Sequence, residues 1–244
     1  MNSLQSTNLI EYLIHNYQDI LDIEKSIIMI GQLEHRHSHG RMRAVYTLSE
    51  QGQYGYAYLN NDQAVSTFQV DERASHLLEG SHYLATKLAI LDSLWNNTVI
   101  PKEVIHLSGK TPQSRNQIRN DNILDAILRR PKEEPIVMIG FFNALYERLI
   151  QAGRRVFCCD ADIGMTCDID KNSNALLIAS ASYLTRDDSL SIHKAVRQSS
   201  YSILISQTCS NMVKMHFDFG FDLIFSESFP TYSLANSTMG IYHQ

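Results

Sequence analysis

Small polar and charged residues follow four apolar segments in the second half of the chain. The first segment is followed by Gly140-Phe141-Phe142-Asn143, and the second ends at two acids, Asp160 and Asp162. The third and fourth are followed by hydroxyl and amide residues: Ser180, Ser182, Gln207 and Thr208. If the segments are parallel strands, these residues meet at one edge of the sheet, where α/β proteins bind ligands. The pattern predicts a polar cleft made of cofactor-binding residues.

The loop after the first segment lacks the spacing of a dinucleotide-binding fingerprint. It holds one glycine, Gly140, where G-x-G-x-x-G needs three, so close approach of a pyrophosphate is not supported. The free amides and the positive dipole end of a following helix favour a nucleoside, a carboxylate or a single phosphate instead. A tight strand-to-helix turn explains the glycine equally well.

Asp160 is favoured as a ligand-binding residue by both its position and its spacing. An acid at the end of the second strand can accept hydrogen bonds from the hydroxyl pair of a ribose, and this one stands about 20 residues after Gly140. The alternative is an acid in a solvated turn. Tyr183 and His193, which follow the third strand, are the candidates for catalytic acid–base chemistry.

Histidines form a second pattern in His35-Arg36-His37-Ser38-His39. On an extended strand, alternate imidazoles project from one face, about 6.6–6.8 Å apart along the chain. Two of the three could share a divalent metal with an outside ligand. The arginines Arg36, Arg41 and Arg43 offer the alternative of a cationic patch for an anionic substrate. An exposed polar loop is the simplest explanation of the segment.

The four cysteines do not form a metal-binding pattern. Cys158 and Cys159 are adjacent on a predicted strand and therefore face opposite sides, and no C-x-x-C pair exists. Buried, inert cysteine is the simplest interpretation. So few cysteines argue against a disulfide scaffold and favour a cytoplasmic location.

From residue 135 onwards, short apolar segments alternate with helical patterns, and these elements must position the candidate residues. The predicted strands are Pro135–Gly140, Arg155–Asp160, Ala175–Ser180, Tyr201–Ser206 and Asp222–Phe225. The predicted helices are Ala144–Gln151, Ser189–Arg197 and Met212–Phe219. Continuous apolar strands that alternate with helices indicate a parallel sheet covered on both faces. We therefore predict that residues 135–244 form a doubly wound, mostly parallel, Rossmann-like ligand-binding domain.

The first half, residues 1–130, shows helix and hairpin patterns. Apolar residues at three- and four-residue spacing predict helices over 9–21, 72–94 and 114–128, although Gly80 interrupts the second. The predicted strands are Ser26–Gly31, Arg41–Ser49 and Tyr54–Leu59, of which the last two form a hairpin. The overall class is α/β, with a smaller α+β N-terminal domain that ends before the two prolines Pro131 and Pro135.

Composition excludes several classes of function. The 244 residues are 44% hydrophobic and 19% charged, which is typical of a globular protein. A net charge of −5 argues against nucleic-acid binding, which works by neutralising phosphates. The apolar runs are far shorter than the roughly 20 residues of a membrane span, and the N-terminus lacks the pattern of a signal peptide. A small-molecule ligand is the expected partner, and the aromatic run Tyr54-Gly55-Tyr56-Ala57-Tyr58 is compatible with a homodimer interface or with core packing.

Four segments of the second half carry a resemblance to a known family. They are the opening strand and turn Ile136–Phe142, the hydroxyl-rich segment Ser180–Ser189, the strand and loop Leu204–Ser210, and the closing turn Phe217–Ile224. In this order they resemble a family of Rossmann-like domains of unknown function that is associated with heavy-metal chelation. The resemblance implies a Rossmann-like domain paired with a smaller domain similar to the N-terminal domain of enolase. It also implies a link to metal or metallophore biology.

Two hypotheses of function lead from these observations. The favoured one is a small-molecule enzyme of specialised or metallophore-type metabolism, with transferase- or lyase-type chemistry and an adenosyl cosubstrate, S-adenosylmethionine first. The single-glycine loop tolerates a sulfonium nucleoside better than a dinucleotide. The alternative, which the resemblance implies, is a protein that binds a metal or a metal chelate without catalysis. Its candidate ligands are His35, His37 and His39, with Cys158 or Cys209. A non-catalytic interaction module is less favoured, because its surface would present an apolar patch.

Overall fold

The computed structural model describes residues 9–37, 40–59, 63–95, 104–106, 112–160, 164–166, 174–181, 189–206 and 221–226. These residues form two separate sheets, one antiparallel with four strands and one with six strands. The predicted α/β class is therefore confirmed, with a parallel sheet in the second half and an α+β arrangement in the first. The predicted helix Met212–Phe219 lies outside the described residues.

The described residues between 9 and 95 contain three helices and the four antiparallel strands. The elements are α1 (Leu9–Asn16), β1 (Ser26–His37), β2 (Gly40–Ser49), β3 (Tyr54–Tyr58), β4 (Phe68–Arg73), α2 (Ala74–Gly80) and α3 (Leu84–Leu94). The spatial order is β3-β2-β1-β4. The predicted hairpin of β2 and β3 is confirmed, with Ala44 opposite Tyr58 and Leu48 opposite Tyr54.

Helix α3 packs closely on β2 and β3. A Cβ added to Gly55 of β3 would stand 1.9 Å from the carbonyl oxygen of Ala89, so only glycine fits at this contact. Thr47 of β2 donates a hydrogen bond from its hydroxyl to the same carbonyl at 2.7 Å. The buried Asp92 carboxylate accepts the backbone N–H of Tyr56 at 3.1 Å. These contacts join the sheet and the helix through the backbone as well as through apolar side chains.

Three predictions for the first half need correction. The single helix predicted over 72–94 is a strand and two helices, because residues 72 and 73 pair with β1 and the first helix ends at Gly80. Strand β1 continues beyond Gly31 to His37, because β2 pairs with it along this whole length. Helix α1 ends at Asn16 rather than at residue 21.

Within the described ranges, every pairing of the six-stranded sheet is parallel. Its elements are β5 (Val104–His106), α4 (Pro112–Leu128), β6 (Ile136–Ile139), α5 (Asn143–Gln151), β7 (Val156–Cys159), β8 (Leu176–Ser180), α6 (Ser189–Gln198), β9 (Tyr201–Ser206) and β10 (Leu223–Ser226). The spatial order is β5-β10-β9-β8-β6-β7. For the five predicted strands and for the two helices predicted at 144–151 and 189–197, the bounds agree to within about two residues, the scatter expected of element ends.

Alternate residues of the strands pack on opposite faces of the sheet. Ile136 and Met138 of β6 pack on one face together with Ile123 and Ile127 of α4 and the apolar side of α5. Val137 and Ile139 pack on the other face, in a cluster that also includes α6 and the core of the first half. Both faces are covered, as the continuous apolar strands predict.

Two elements that the sequence analysis grouped with the first half join the parallel sheet. Strand β5, which was not predicted, pairs with β10 at one side of the sheet. Helix α4 contributes Ile123 and Ile127 to the core beneath β6 and β8. The domain boundary at 131–135 stays a prediction, but both segments that flank it pack on the same sheet.

Candidate functional site

The order of the strands defines the point at which ligands bind in such sheets. From β6 onwards, the strands lie in the order β7-β6-β8-β9-β10, which is the 2-1-3-4-5 order of flavodoxin-like folds. The chain turns outward in opposite directions from β6, first to β7 and then to β8. The general rule puts the ligand at this switch point, beyond the carboxyl ends of the strands, which we call the carboxyl edge. Gly140 follows β6 there, and Ser180 ends β8.

The loop between β6 and α5 begins with a glycine in the left-handed region. Gly140 has a φ of 88°, a value that residues with a Cβ rarely adopt. Its N–H continues the sheet by donating to the carbonyl of Cys159 at 2.8 Å. Helix α5 then begins at Asn143 without a side-chain cap from Phe142. The loop therefore brings the first amides of α5 to the carboxyl edge.

Asp160 lies directly beside this loop. Its Oδ2 accepts the backbone N–H of Phe141 at 2.8 Å, and its own backbone forms two hydrogen bonds of 2.8 Å with Met165. The structure thus brings together the two sequence segments that were predicted to hold a nucleoside. The carboxylate also orders the loop, which is a structural role of its own.

Helix α4 adds a buried cation that the sequence analysis did not include. Arg119 is only 8% exposed, and its guanidinium carbon lies 5.6 Å from the centre of the Phe142 ring. Its Nε donates to Oδ1 of Asn120, which is also buried, at 3.3 Å. One signal could have identified the pair, because Arg119 and Asn120 stand one helical turn before the core residue Ile123.

The remaining predicted cofactor residues divide between described and undescribed parts of the chain. Ser180 is half-buried at the end of β8 and pairs with Ile205 of β9. The Asn143 side chain donates to Glu147 Oε1 at 3.3 Å, along its own helix. The predicted residues Asp162, Ser182, Tyr183, Gln207 and Thr208 lie outside the described residues. His193 belongs to α6, but its side chain is not among those described.

The first two histidines of the predicted metal site, His35 and His37, fall on β1. They lie in the strand, opposite Met42 and Gly40, so this part of the segment is a strand and not a loop. Their side chains and the whole of His39 lie outside the described part of the structure. Among the groups that the structure describes, no three His, Cys, Asp or Glu side chains are close enough to hold a metal ion.

The two adjacent cysteines of β7 differ from each other. Cys158 is a free thiol, and burial together with the nearby Asp160 charge raises its pKa, so it stays protonated and weakly nucleophilic at neutral pH. Cys159 is disulfide-bonded, which the sequence analysis did not predict. Within the described residues, none of the helices has the length and apolar character needed to cross a membrane.

Comparison with known proteins shows a likeness of fold. No family model and no curated protein matches the chain. A solved protein of unknown function from the DUF364 family of Desulfitobacterium hafniense matches with a TM-score of 0.52 and 10% sequence identity, over 97% of this chain and 94% of that one. At this identity the match shows a shared fold and nothing about activity.

Weaker likenesses extend to two further structures. A mandelate racemase/muconate lactonizing protein from Herpetosiphon aurantiacus matches with a TM-score of 0.32 and 12% identity over 91% of this chain and 88% of that one. A mandelate racemase/muconate lactonizing enzyme from Polaromonas sp. JS666 matches with a TM-score of 0.31 and 9% identity over 84% and 86%. Scores this low carry no argument, so the likeness of the N-terminal half to the enolase N-terminal domain stays a prediction.

Proposed function

We propose that the protein is a small-molecule enzyme that binds an adenosyl cosubstrate at the switch point of the parallel sheet. S-adenosylmethionine is the favoured cosubstrate. One observation carries the proposal: the Asp160 carboxylate lies 2.8 Å from the backbone nitrogen of Phe141, directly after Gly140. An acid at the end of one strand and a glycine turn at the end of its neighbour are thereby joined beside the first turn of α5.

This arrangement suits a nucleoside better than a dinucleotide. A carboxylate can accept hydrogen bonds from two adjacent ribose hydroxyls while one of its oxygens also accepts a backbone N–H, because each oxygen has two lone pairs. The loop has a single glycine, which does not provide the close backbone approach that a pyrophosphate needs. An adenosyl group without a diphosphate fits these two conditions.

The other predicted residues complete the proposal. Ser180, Ser182, Gln207 and Thr208 would bind polar groups of the ligand, and Asn143 and Asp162 would flank the ribose site. Tyr183 and His193 would supply acid–base chemistry to a second substrate of the transferase or lyase type. The adenosyl compound would supply the group to be transferred or eliminated.

Calorimetric titration of the purified protein with S-adenosylmethionine, S-adenosylhomocysteine and adenosine tests the proposal. Asp160→Asn keeps an oxygen for the Phe141 amide but removes the charge, and it should lower the affinity about 10-fold or more, as expected when a charge-assisted hydrogen bond is lost. Asp125→Asn, a change of an exposed acid on α4, is the matched control and should leave the affinity unchanged.

A comparison of adenosine with 2′-deoxyadenosine makes the test specific to the ribose. The wild type should prefer adenosine, and Asp160→Asn should lose this preference while it still binds the deoxy compound. If none of the adenosyl compounds binds the wild type, or if both proteins discriminate equally, the proposed ribose contact is wrong.

Metal or metal-chelate binding is the second candidate. The observation that favours it is that His35 and His37 occupy alternate positions of a regular strand, so they share one face of it. Metal-stripped protein should then melt at a higher temperature with a first-row divalent ion, and a His35→Asn, His37→Asn double variant should not. An unchanged melting temperature of the wild type across these ions would remove this candidate.

A further inference from the structure

We infer that Met165 packs on the base of the bound nucleoside at the switch point. The inference rests on the proposed function for the location of the ribose and adds the apolar contact that binds the base. It starts from the pairing of Met165 with Asp160, in which the backbone N–H of each residue donates to the carbonyl of the other at 2.8 Å.

This pairing places Met165 on the same side of the chain as the Asp160 carboxylate. Two residues that exchange both hydrogen bonds stand directly opposite each other in an antiparallel pair, with Cα atoms about 5.5 Å apart. Directly opposite residues share one face of the pair. The Asp160 carboxylate accepts the backbone N–H of Phe141, in the loop after β6. Met165 therefore lies on the side of the pair that faces this loop.

Met165 has apolar surface that the core does not use. It is 37% exposed, and within the described residues it belongs to neither of the clusters that pack on the two faces of the parallel sheet. Leu128 and Ile150 are also exposed, but they lie in the last turns of α4 and α5. Those turns lead into β6 and β7 at the amino edge, where the strands begin. Met165 instead exposes its surface at the carboxyl edge, beside the proposed ribose site.

Methionine is well suited to contact with a nucleoside base. Its side chain is unbranched with three rotatable bonds, so it adapts to the position of a ring, and its polarizable sulfur makes favourable contacts with aromatic rings. In the proposed complex, Asp160 accepts hydrogen bonds from the ribose and Met165 covers the adjacent base. The pair thus sets a polar contact beside an apolar one, as a nucleoside joins a polar sugar to a flat aromatic ring.

Calorimetric titration of wild type, Met165→Ser and Met165→Leu with adenosine and with 2′-deoxyadenosine tests the contact. Serine removes the apolar surface, whereas leucine keeps most of it. Because Met165 is exposed, neither change opens a cavity in the core. Ile150→Ser is the matched control, since Ile150 is an apolar residue of similar exposure, 44%, at the amino edge.

We expect Met165→Ser to weaken the binding of both nucleosides by the same factor, about 5- to 30-fold, the loss of one large apolar contact. Met165→Leu should stay within about 3-fold of the wild type, because it conserves volume and apolar character. Ile150→Ser should bind like the wild type. An equal loss for the two nucleosides distinguishes a contact with the base from the contact of Asp160, whose replacement acts on the ribose hydroxyls.

Equal affinities of wild type and Met165→Ser for adenosine overturn the inference and leave the proposed cosubstrate in place. If adenosine does not bind the wild type, the titrations are repeated with guanosine, cytidine and uridine. Binding of one of these that depends on Met165 supports the inference and refutes the adenosyl cosubstrate. Binding that does not depend on Met165, or no binding of any of the four nucleosides, overturns both.

Discussion

The amino and carboxyl edges of the parallel sheet use arginine in different ways. At the amino edge, where the strands begin, the buried Arg154 donates to the backbone carbonyls of Arg130 at 3.3 Å and Glu134 at 3.2 Å. At the carboxyl edge, Arg119, which is also buried, packs on Phe142 beside the glycine turn. The first arginine ties the segment that enters β6 to the segment that enters β7. The second lies at the edge where sheets with this strand order generally bind ligands, so two buried arginines of one sheet have different surroundings.

The amino edge contains a connected set of charged groups. Arg130 forms two hydrogen bonds of 3.3 Å with the Glu134 carboxylate, and its guanidinium lies 5.4 Å from the ring centre of Tyr201. Ser200 also donates a hydrogen bond to Glu134. Burial alone would raise the pKa of Glu134, but the hydrogen bonds from Arg130 and Ser200 and the positive charges of Arg130 and Arg154 outweigh it and hold that pKa below its ordinary value. This edge is thus stabilised within the protein itself.

The largest effect should come from removing the cation of the amino edge. Arg154→Met leaves two carbonyl acceptors without their donor, and each buried unpaired group costs about 1–3 kcal/mol, so we expect a loss of about 3 kcal/mol in the free energy of unfolding. Urea denaturation measures this loss. Arg155→Met, a change of the exposed neighbour, should stay within about 0.5 kcal/mol of the wild type. If Arg154→Met unfolds with the same free energy as the wild type, the two edges are less different than their contacts indicate.

Two glycines with similar φ angles allow the effect of a turn on stability to be distinguished from its effect on ligand binding. Gly140 has a φ of 88° at the carboxyl edge, and Gly52 has a φ of 80° in the turn between β2 and β3. Alanine at either position should cost about 1–2 kcal/mol, the penalty of a Cβ in the left-handed region. Only Gly140→Ala should also weaken ligand binding, as measured by calorimetry. Equal binding by the two variants would argue against a site at the loop after β6.

The smallest effect concerns the acid stability of the amino edge. Because the folded pKa of Glu134 is lowered, its contribution to stability is present above the unfolded value, which is near 4.5, and is lost as the pH falls toward the folded value. Glu134→Gln should therefore be less stable than the wild type by about 1 kcal/mol at pH 7, and the difference should shrink below about pH 4.5.

Denaturation curves from pH 7 to pH 3 check the predicted convergence. Glu133→Gln, an exposed neighbour in the same segment, is the control and should follow the wild type at every pH. A constant gap between wild type and Glu134→Gln over this range would mean that the carboxylate does not stabilise the amino edge through its charge.

Individual elements show how much of the fold could be predicted from the sequence. Strand β9 has the predicted bounds, Tyr201–Ser206, because a buried parallel strand has an apolar run that ends where its burial ends. Strand β4 was mistaken for the start of a helix, since the polar run before Ala74 has no pattern of its own and is extended only through its pairing with β1. Strand β5 was missed because three residues are too few to show a period.

For the candidate site, the sequence located the loop at Gly140 and the acid Asp160, but it omitted Arg119. The rule that ligands bind at strand ends needs only the order of elements along the chain, so it selects the loops after β6 and β7 as candidates. Arg119 is in the middle of a predicted helix, where an arginine usually lies in solvent. Its spacing of four residues from the core residue Ile123 would place it on the inward face of α4. Its contact with Phe142 depends on how the helix packs beside the loop, and no spacing within the helix contains that information.

The sequence by itself determined the class of the fold and the limits of most strands of the parallel sheet. These features follow from periodicity and from breakers such as Gly140, which act over a few residues. The tertiary structure alone decided the order of the strands, the joining of β5 and α4 to the parallel sheet, and the meeting of Asp160 and Arg119 at one loop. The physical reason is that these contacts join residues far apart in the chain, and their stability comes from packing and burial rather than from local preference.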